Sequence, residues 1–210
     1  MNGVAVFNVS SDGASGYVAL SSSYNAVDFD DFTHSVVPGP PIPPAAKGTA
    51  VVFESCVPGS DPRSSHQAWA LHPTPGDLST STPEVLYVIQ PTVNTKLCLD
   101  WSDPTALKVE ACKDDEPKQV WNASASELKS PGGFIRAAGM TGCGSGLGGT
   151  PVGGCCMEVA GNLPAAGTAA DIYACEHSQG APCANEVFRT VTQDGIVRIV
   201  AGSTGFCLTA

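Results

Sequence analysis

Basic residues are scarce in this chain. Lysine and arginine together number 10, against 20 aspartate and glutamate residues, which gives a formal net charge of −10 at pH 7. An acidic surface repels polyanions, and no basic patch with interleaved aromatic residues offsets this effect. We therefore expect no nucleic-acid partner and no anionic membrane partner, and we interpret the acidity as that of a solvated protein surface.

Long apolar runs are also absent, and no stretch reaches the length that a membrane span needs, so we expect no membrane insertion. Charged residues make up only 14% of the chain, whereas apolar residues make up 42%. This apolar share argues against disorder throughout, and 210 residues suit one domain with a sizeable core. The 23 glycines and 17 prolines are typical of a loop-rich protein built from strands.

Motifs for catalysis or metal binding are missing as well. No HExxH or other ligand spacing relates the four histidines, which are His34, His66, His72 and His177. No Gly-x-Ser-x-Gly elbow is present with a strand and helix around it. The glycine-rich run from Gly139 to Gly154 lacks the Lys-Ser/Thr that follows a phosphate-binding loop. We therefore expect no enzymatic activity, no cofactor and no metal.

Cysteine, by contrast, is abundant, with nine residues. Several cysteines end strand-like runs, and the adjacent Cys155-Cys156 pair has no CxxC partner, which favours a disulfide framework over a zinc site. Two N-glycosylation tripeptides, which begin at Asn8 and Asn122, agree with the oxidising compartment that disulfides imply. No signal peptide is visible after Met1, so either a leader has been removed or the chain is cytosolic with reduced thiols. We expect secretion.

One pattern occurs three times along the chain. A short, largely apolar run ends in a cysteine, a polar loop follows, and a Gln-x-Trp element or a modified copy of it comes next. The cysteines are Cys56, Cys112 and Cys175, and the elements are Gln67-Ala68-Trp69, Gln119-Val120-Trp121 and Glu186-Val187-Phe188. Recurrence at a wide period is typical of a fold assembled from equivalent units. We expect the aromatic residue of each copy to pack in the core.

The Gln-x-Trp copies, together with Cys98-Leu99-Asp100 ahead of the second one, resemble the ricin-B-type lectin family. The resemblance covers most of the chain and implies an all-β fold, a β-trefoil of three pseudo-equivalent units with long loop insertions. It places one domain over residues 1–210, with units at about 1–80, 81–130 and 131–194. A closing strand within 195–210 then docks beside the first unit, which leaves no free sheet edge there.

The resemblance also implies a set of disulfide bonds, because the family pairs two strand-end cysteines within each unit. The first of these cysteines is missing from the N-terminal copy and is supplied by the closing strand. The implied pairs are Cys98–Cys112, Cys156–Cys175 and Cys56–Cys207. No partner is assigned to the other three cysteines, which are Cys143, Cys155 and Cys183.

In the family, a sugar site combines three kinds of residue. An acid follows the first cysteine of a unit, an aromatic residue lies two positions before the second cysteine, and an asparagine often precedes the Gln-x-Trp element. Carboxylates and amides bond the sugar hydroxyls, and the aromatic ring stacks on the C–H face of the sugar. The third unit matches best, and the resemblance implies a carbohydrate site formed by Glu158, Asp171, Tyr173, Asn185 and Glu186.

A weaker second site would use Asp100, Trp101 and Gln119, because Glu110 stands where the family has its aromatic residue. The first unit has Glu54 at that position and no recognisable acid, so we interpret it as structural. The resemblance thus implies a secreted, non-catalytic lectin whose partners are glycans or glycoproteins.

An alternative is a trefoil that serves as a protein-interaction or protease-inhibitory module with degenerate sugar sites. Its long insertions, residues 36–50, 139–154 and 160–170, would then form the binding surface. A third possibility is a targeting module from a larger glycosidase. A glycan array distinguishes the lectin from the interaction module most directly.

Overall fold

The computed structural model describes residues 43–74, 85–124, 128–129, 132–144, 150–161, 165–178, 181–202 and 204–210. These residues belong to one body of the chain, Gly39–Ala210. The glycosylation candidate Asn8 lies outside the described residues.

The described part of the chain is all-β, as the sequence predicts. Three short 3-10 helices accompany the strands, at Pro62–Gln67, Pro117–Gln119 and Ala184–Glu186. The strands are β1 (Val52–Ser55), β2 (Trp69–Pro73), β3 (Val85–Pro91), β4 (Leu97–Asp100), β5 (Lys108–Ala111), β6 (Val120–Ala123), β7 (Arg136–Ala137), β8 (Thr150–Val159), β9 (Thr168–Ser178), β10 (Ala181–Pro182), β11 (Phe188–Gln193), β12 (Ile196–Ala201) and β13 (Phe206–Thr209).

Eleven of these strands form one large curled antiparallel sheet. Its path runs β11-β12-β13-β1-β9-β8-β7-β6-β3-β2, β10 pairs with β9 beside this path, and β4 pairs with β5 separately. Two kinds of strand pairing each occur three times. The first kind pairs the strand that ends one repeat with the strand that follows it in the chain, as β2–β3, β6–β7 and β11–β12. The second kind pairs the two strands that carry the disulfide-bonded cysteines or lie next to them, as β13–β1, β4–β5 and β8–β9. We therefore group the strands into a first unit (β12-β13-β1-β2), a second unit (β3-β4-β5-β6) and a third unit (β7-β8-β9-β11).

The three units meet at a ring of backbone hydrogen bonds in the core. Val51 N donates to Leu107 O at 2.8 Å, and Leu107 N donates to Ala170 O at 2.8 Å. Ala170 N closes the ring by donating to Val51 O at 3.0 Å. All three residues are fully buried, and each lies five positions before the repeated cysteine of its unit. Each of these buried N–H groups donates to a carbonyl oxygen of another unit. All three N–H groups are therefore hydrogen-bonded only when all three units are folded together.

The aromatic residues of the repeated elements pack in this core, as expected. Trp69 and Trp121 are at most 1% exposed, and each donates its indole N–H to a buried carbonyl, Trp69 to Leu208 O at 2.8 Å and Trp121 to Leu99 O at 3.1 Å. Phe188, which has no N–H to donate, is fully buried and stacks on a phenylalanine of β1 with ring centroids 5.7 Å apart. Each ring thus buries a large apolar surface without leaving a polar group unpaired.

The residue that opens each Gln-x-Trp element lies at the end of a 3-10 helix and bonds the backbone of a neighbouring strand end. In the first unit, Gln67 Oε1 accepts from Val57 N at 3.0 Å, and Gln67 Nε2 donates to Ser55 O at 2.9 Å. Gln119 makes the same two bonds on either side of Cys112, both at 3.0 Å. We call Gln67, Gln119 and the corresponding Glu186 the anchor residues.

The last described strand pairs with the first one. Strand β13 pairs antiparallel with β1, with Cys207 opposite Glu54, and β12 pairs with β13 in turn. Strands β11 and β12 are joined by the turn Asp194-Gly195, whose φ angles of 54° and 74° suit a tight two-residue hairpin. The first unit is therefore assembled from segments near both ends of the described chain.

Four disulfide bonds staple this arrangement. Three of them are the pairs implied by the family resemblance, Cys56–Cys207, Cys98–Cys112 and Cys156–Cys175. The fourth, Cys143–Cys155, was not assigned from the sequence, and Cys183 is a free, buried thiol. A framework of this kind is typical of proteins from an oxidising compartment.

The glycine-rich insertion differs from its expected form as a loop. Residues 150–154 belong to β8, and Thr150 and Pro151 pair with His177 and Glu176 near the end of β9. The register shifts between Pro151 and Cys155, where Gly153 and Gly154 have φ angles of 91° and 83°. Glycine tolerates these angles, so the strand continues through an irregularity instead of ending.

No helix among the residues that the structure describes is both long and apolar enough to cross a membrane.

The closing disulfide should contribute more to stability than the local one. In the chain-entropy model, Cys56–Cys207, with a sequence separation of 151, contributes about 5 kcal/mol, and Cys98–Cys112, with a separation of 14, contributes about 3 kcal/mol. We expect the Cys56→Ser/Cys207→Ser variant to lose more free energy of unfolding than the Cys98→Ser/Cys112→Ser variant. Urea unfolding of both variants measures the difference, and the reverse order would contradict the closing role of β13.

Candidate functional site

The third unit brings its predicted site residues together on two neighbouring strands. Glu158 of β8 lies directly opposite Asp171 of β9, and Tyr173 lies two residues further along β9, opposite Cys156. Residues two apart on a strand point to the same side, so Asp171 and Tyr173 share one face of the sheet. The acid and the aromatic residue expected from the sequence are therefore neighbours.

A 3-10 helix adds the predicted amide to this pair. The helix Ala184–Glu186 carries Asn185, whose Nδ2 donates a hydrogen bond of 3.0 Å to Glu158 Oε2. Its last residue, Glu186, turns inward, and Glu186 Oε2 accepts a hydrogen bond of 2.9 Å from Glu176 N. Three separate segments, β8, β9 and this helix, thus supply the site.

The carboxyl groups of the site have strongly raised pKa values. Burial, followed by the charges of Asp171 and Glu186, raises the pKa of Glu158 to about 8, although the hydrogen bond from Asn185 lowers it. Burial raises the pKa of Asp171 to about 6 against hydrogen bonds from its own backbone and from Glu158. A protonated Glu158 can donate to an ionised Asp171, which stabilises both groups in these states.

Exposure divides these residues into two groups. The side chains of Tyr173 and Asn185 are half-buried and reach the surface. Glu158, Asp171 and Glu186 are 1%, 7% and 0% exposed. A ligand on the surface would therefore meet the Tyr173 ring and the Asn185 amide first. Glu158 lies below the surface and fixes the orientation of the Asn185 amide through their hydrogen bond. Glu186 is fully buried and cannot contact such a ligand.

Gly144, which follows a disulfide-bonded cysteine, lies beside the aromatic ring. Ala174 N donates to Gly144 O at 2.9 Å, and a Cβ atom on Gly144 would lie 3.7 Å from Tyr173 Cε1. The adjacent residue, Cys143, is bonded to Cys155. Sequence reasoning missed this neighbour of Tyr173, although two unassigned cysteines, one within the glycine-rich run and one directly after it, were a signal that a disulfide fixes the run.

Of the residues predicted for the weaker second site, two are in contact and the third is turned toward the core. Gln119 Nε2 donates to Asp100 Oδ2 at 3.0 Å, so these two predicted residues do meet. The indole N–H of Trp101, however, donates to Val120 O at 3.3 Å, and the ring packs against the core. Glu110, at the position of the aromatic residue, pairs with Lys47 at 3.7 Å. No stacking platform stands beside Asp100 at that position.

The first unit has a hydroxyl group where the second has its acid. Gln67 Nε2 donates to Thr209 Oγ1 at 3.3 Å, in the position that Asp100 takes beside Gln119. Its aromatic position holds Glu54, opposite Cys207 on β13. These contacts fit the structural interpretation that the sequence suggests for this unit.

Two other sequence predictions concern metals and glycans. Among the residues that the structure describes, no group of three or more His, Cys, Asp and Glu side chains is arranged to hold a metal ion. The glycosylation candidate Asn122 is half-buried in β6, where it pairs with Leu86 of β3 and Arg136 of β7. A position between two paired strands differs from the exposed loops where N-glycans are usually attached.

No family model, curated protein or solved structure matches this chain. The chemistry of the third-unit site must therefore be judged from its own geometry. That geometry brings together a half-buried aromatic ring, an oriented amide and a buried pair of carboxyl groups.

Removing the carboxyl group beneath Asn185 should weaken the third unit. Glu158→Ala leaves the Asn185 amide and Asp171 without their partner, which should cost about 1–3 kcal/mol of unfolding free energy at pH 7. Glu158→Gln can still accept from Asn185 and donate to Asp171, so we expect a loss below about 1 kcal/mol. Urea unfolding measures both values, with the exposed Asp114→Ala as the surface control. Equal losses for Ala and Gln would contradict this role of Glu158.

Proposed function

We propose that this protein is a secreted β-trefoil of the ricin-B lectin type that binds carbohydrate, without catalysis, through its third unit. The partners would be glycans or glycoproteins. The proposal combines the resemblance of the Gln-x-Trp copies with the arrangement of their side chains in the fold.

Several features support the trefoil part of the proposal. The ring of hydrogen bonds through Val51, Leu107 and Ala170 relates three segments cyclically. One antiparallel strand pair of the same kind recurs in each unit, as β13–β1, β4–β5 and β8–β9, and two of the anchor residues make the same pair of backbone bonds. Three disulfides lie at corresponding strand ends. Three equivalent units around one axis would produce this set of repeated contacts.

The observation that carries the binding proposal is the hydrogen bond of 3.0 Å from Asn185 Nδ2 to Glu158 Oε2, formed beside Tyr173. It uses one N–H of the amide and fixes the orientation of the group, so that the second N–H and the carbonyl oxygen remain available for hydroxyl groups. An amide held in this way loses little conformational entropy when a ligand binds.

The half-buried ring of Tyr173 provides the apolar part of the proposed site. Sugars present a C–H face that packs on an aromatic ring, while their hydroxyl groups bond neighbouring polar side chains. The carboxyl group of Asp171 lies on the same side of β9 and has one oxygen, Oδ1, without a hydrogen-bond partner among the described residues. Because this oxygen is itself buried, we propose that Asp171 supports the site from beneath, through its contact with Glu158, while the ligand contacts Tyr173 and Asn185.

Tyr173→Ala tests the proposed site directly. It removes the stacking ring from a half-buried position, so we expect binding on a glycan array to be abolished while the fold is retained. Asn185→Ala should weaken binding of the best array ligand about fivefold, since one hydrogen bond is worth about 1 kcal/mol. The matched control is Glu110→Ala, which changes the equivalent position of the second unit and should leave binding unchanged.

Each outcome has a distinct meaning. If Tyr173→Ala binds as well as the wild type, the third unit is not the site. If the wild-type protein binds nothing on a broad array, the lectin proposal fails. The interaction or protease-inhibitory module then becomes the hypothesis to test.

A further inference from the structure

A buried carboxyl group occupies the position where the other two units have an amide. Glu186 is fully buried and is the anchor residue of the third unit, as Gln67 and Gln119 are of the first and second. Like the carbonyl oxygens of those amides, Glu186 Oε2 accepts from the backbone N–H that follows the cysteine of its unit, here Glu176 N at 2.9 Å. Its other oxygen, Oε1, has no hydrogen-bond partner among the described residues.

In the first and second units, the groups around that second position are hydrogen-bond acceptors. In the second unit, Gln119 Nε2 donates both to Ala111 O and to Asp100 Oδ2, each at 3.0 Å. The corresponding acceptors of the third unit, by their positions relative to the paired cysteines, are the carbonyl of Ala174 and the carboxyl group of Glu158. An amide suits such a position because its NH₂ group donates. An ionised carboxylate has no proton to donate, whereas a protonated carboxylic acid does.

We propose that Glu186 is held as a protonated acid that donates where Gln67 and Gln119 donate, and that loss of this proton loosens the third unit. A single O–H of Glu186 then replaces the N–H of the amide. The stability of the third unit therefore depends on pH through its anchor residue, whereas Gln67 and Gln119 do not titrate. This inference is independent of whether the third unit binds a sugar.

The neighbouring groups favour the protonated state of this anchor residue. After burial, the charge of Glu176 on β9 raises the pKa of Glu186. The charge of Glu186 in turn raises the pKa of Glu158 on β8, which lies opposite Asp171 of β9. Cys183, just before the same 3-10 helix, is a thiol whose pKa is raised by burial and then by these carboxyl groups. Arg136 on β7 is the cation on the adjoining strand, and its guanidinium lies over an aromatic ring at 4.9 Å from the ring centroid.

The direction of the pH effect follows from the burial of Glu186. Burial raises the pKa of Glu186 from 4.5 to about 7, against the hydrogen bond from Glu176 N that lowers it. Between these values, the folded protein keeps a proton that the unfolded chain releases. The stabilisation is therefore complete below about pH 4.5 and is lost as the pH rises through about 7.

The test is the thermal stability of Glu186→Gln as a function of pH. The substitution supplies a permanent N–H donor, so the Tm of the variant should match that of the wild type at about pH 5 and exceed it by several degrees at about pH 8.5. Glu158 and Asp171 still titrate in the variant. We therefore expect its Tm to change less with pH than that of the wild type, but not to become independent of pH.

Two controls separate this effect from a general effect of charge. Asp114→Asn removes one negative charge from an exposed side chain and should keep the steeper wild-type profile. Gln119→Glu places the same carboxyl group beside Asp100 in the second unit and should lower the Tm at about pH 8.5 much more than at about pH 5. This second variant tests the inference even if Glu186→Gln does not fold.

A constant difference in Tm between Glu186→Gln and the wild type from about pH 5 to pH 8.5 would overturn the proposal. So would a Gln119→Glu variant whose stability loss is independent of pH, because the carboxyl group would then be tolerated equally in both protonation states.

Discussion

The fold depends on one interaction that recurs in every unit, in which a side chain at the end of a 3-10 helix bonds the backbone next to a disulfide-bonded strand end. Gln67 and Gln119 make this interaction with two backbone bonds each, and Glu186 makes one. Because the buried aromatic residue follows two positions later, the same bonds direct that ring into the core. The ring of backbone hydrogen bonds between units then aligns the three copies. Loss of an anchor residue would therefore affect the strand end, the aromatic ring and the alignment together.

The candidate site occupies the same place in the third unit as these structural contacts. Asn185 lies immediately before the anchor residue Glu186, so the helix that brings one side chain inward brings the other to the surface. Glu158 connects the two, because its carboxyl group accepts from Asn185 and responds to the charge of Glu186. Glu158 thus connects the proposed binding residue Asn185 with the proposed protonation of Glu186. A change in pH that loosens the unit would also release the orientation of the Asn185 amide.

The sequence predicts the repeated features well, because repetition reveals which residues are equivalent. The pairing of Cys56 with Cys207, which are far apart in the chain, followed from the resemblance to a family that pairs two strand-end cysteines within each unit. The Cys143–Cys155 bond has no counterpart in the other units, so no comparison within the chain could assign it. Residues 150–154 were expected in a loop because of their glycines, and pairing with β9 overrides that local preference. The burial of Glu158 and Glu186 depends on packing between segments, which the order of residues does not reveal.

The most direct test of the binding account is an NMR titration of the wild-type protein with its best glycan-array ligand, with backbone and side-chain amides as reporters. We expect the largest shift changes at the side-chain amide of Asn185 and at the backbone amides of Tyr173, Ala174 and Gly144. The equivalent residues Glu110 and Lys118 of the second unit should change little. Changes confined to the first or second unit, with none around Tyr173, would contradict the account.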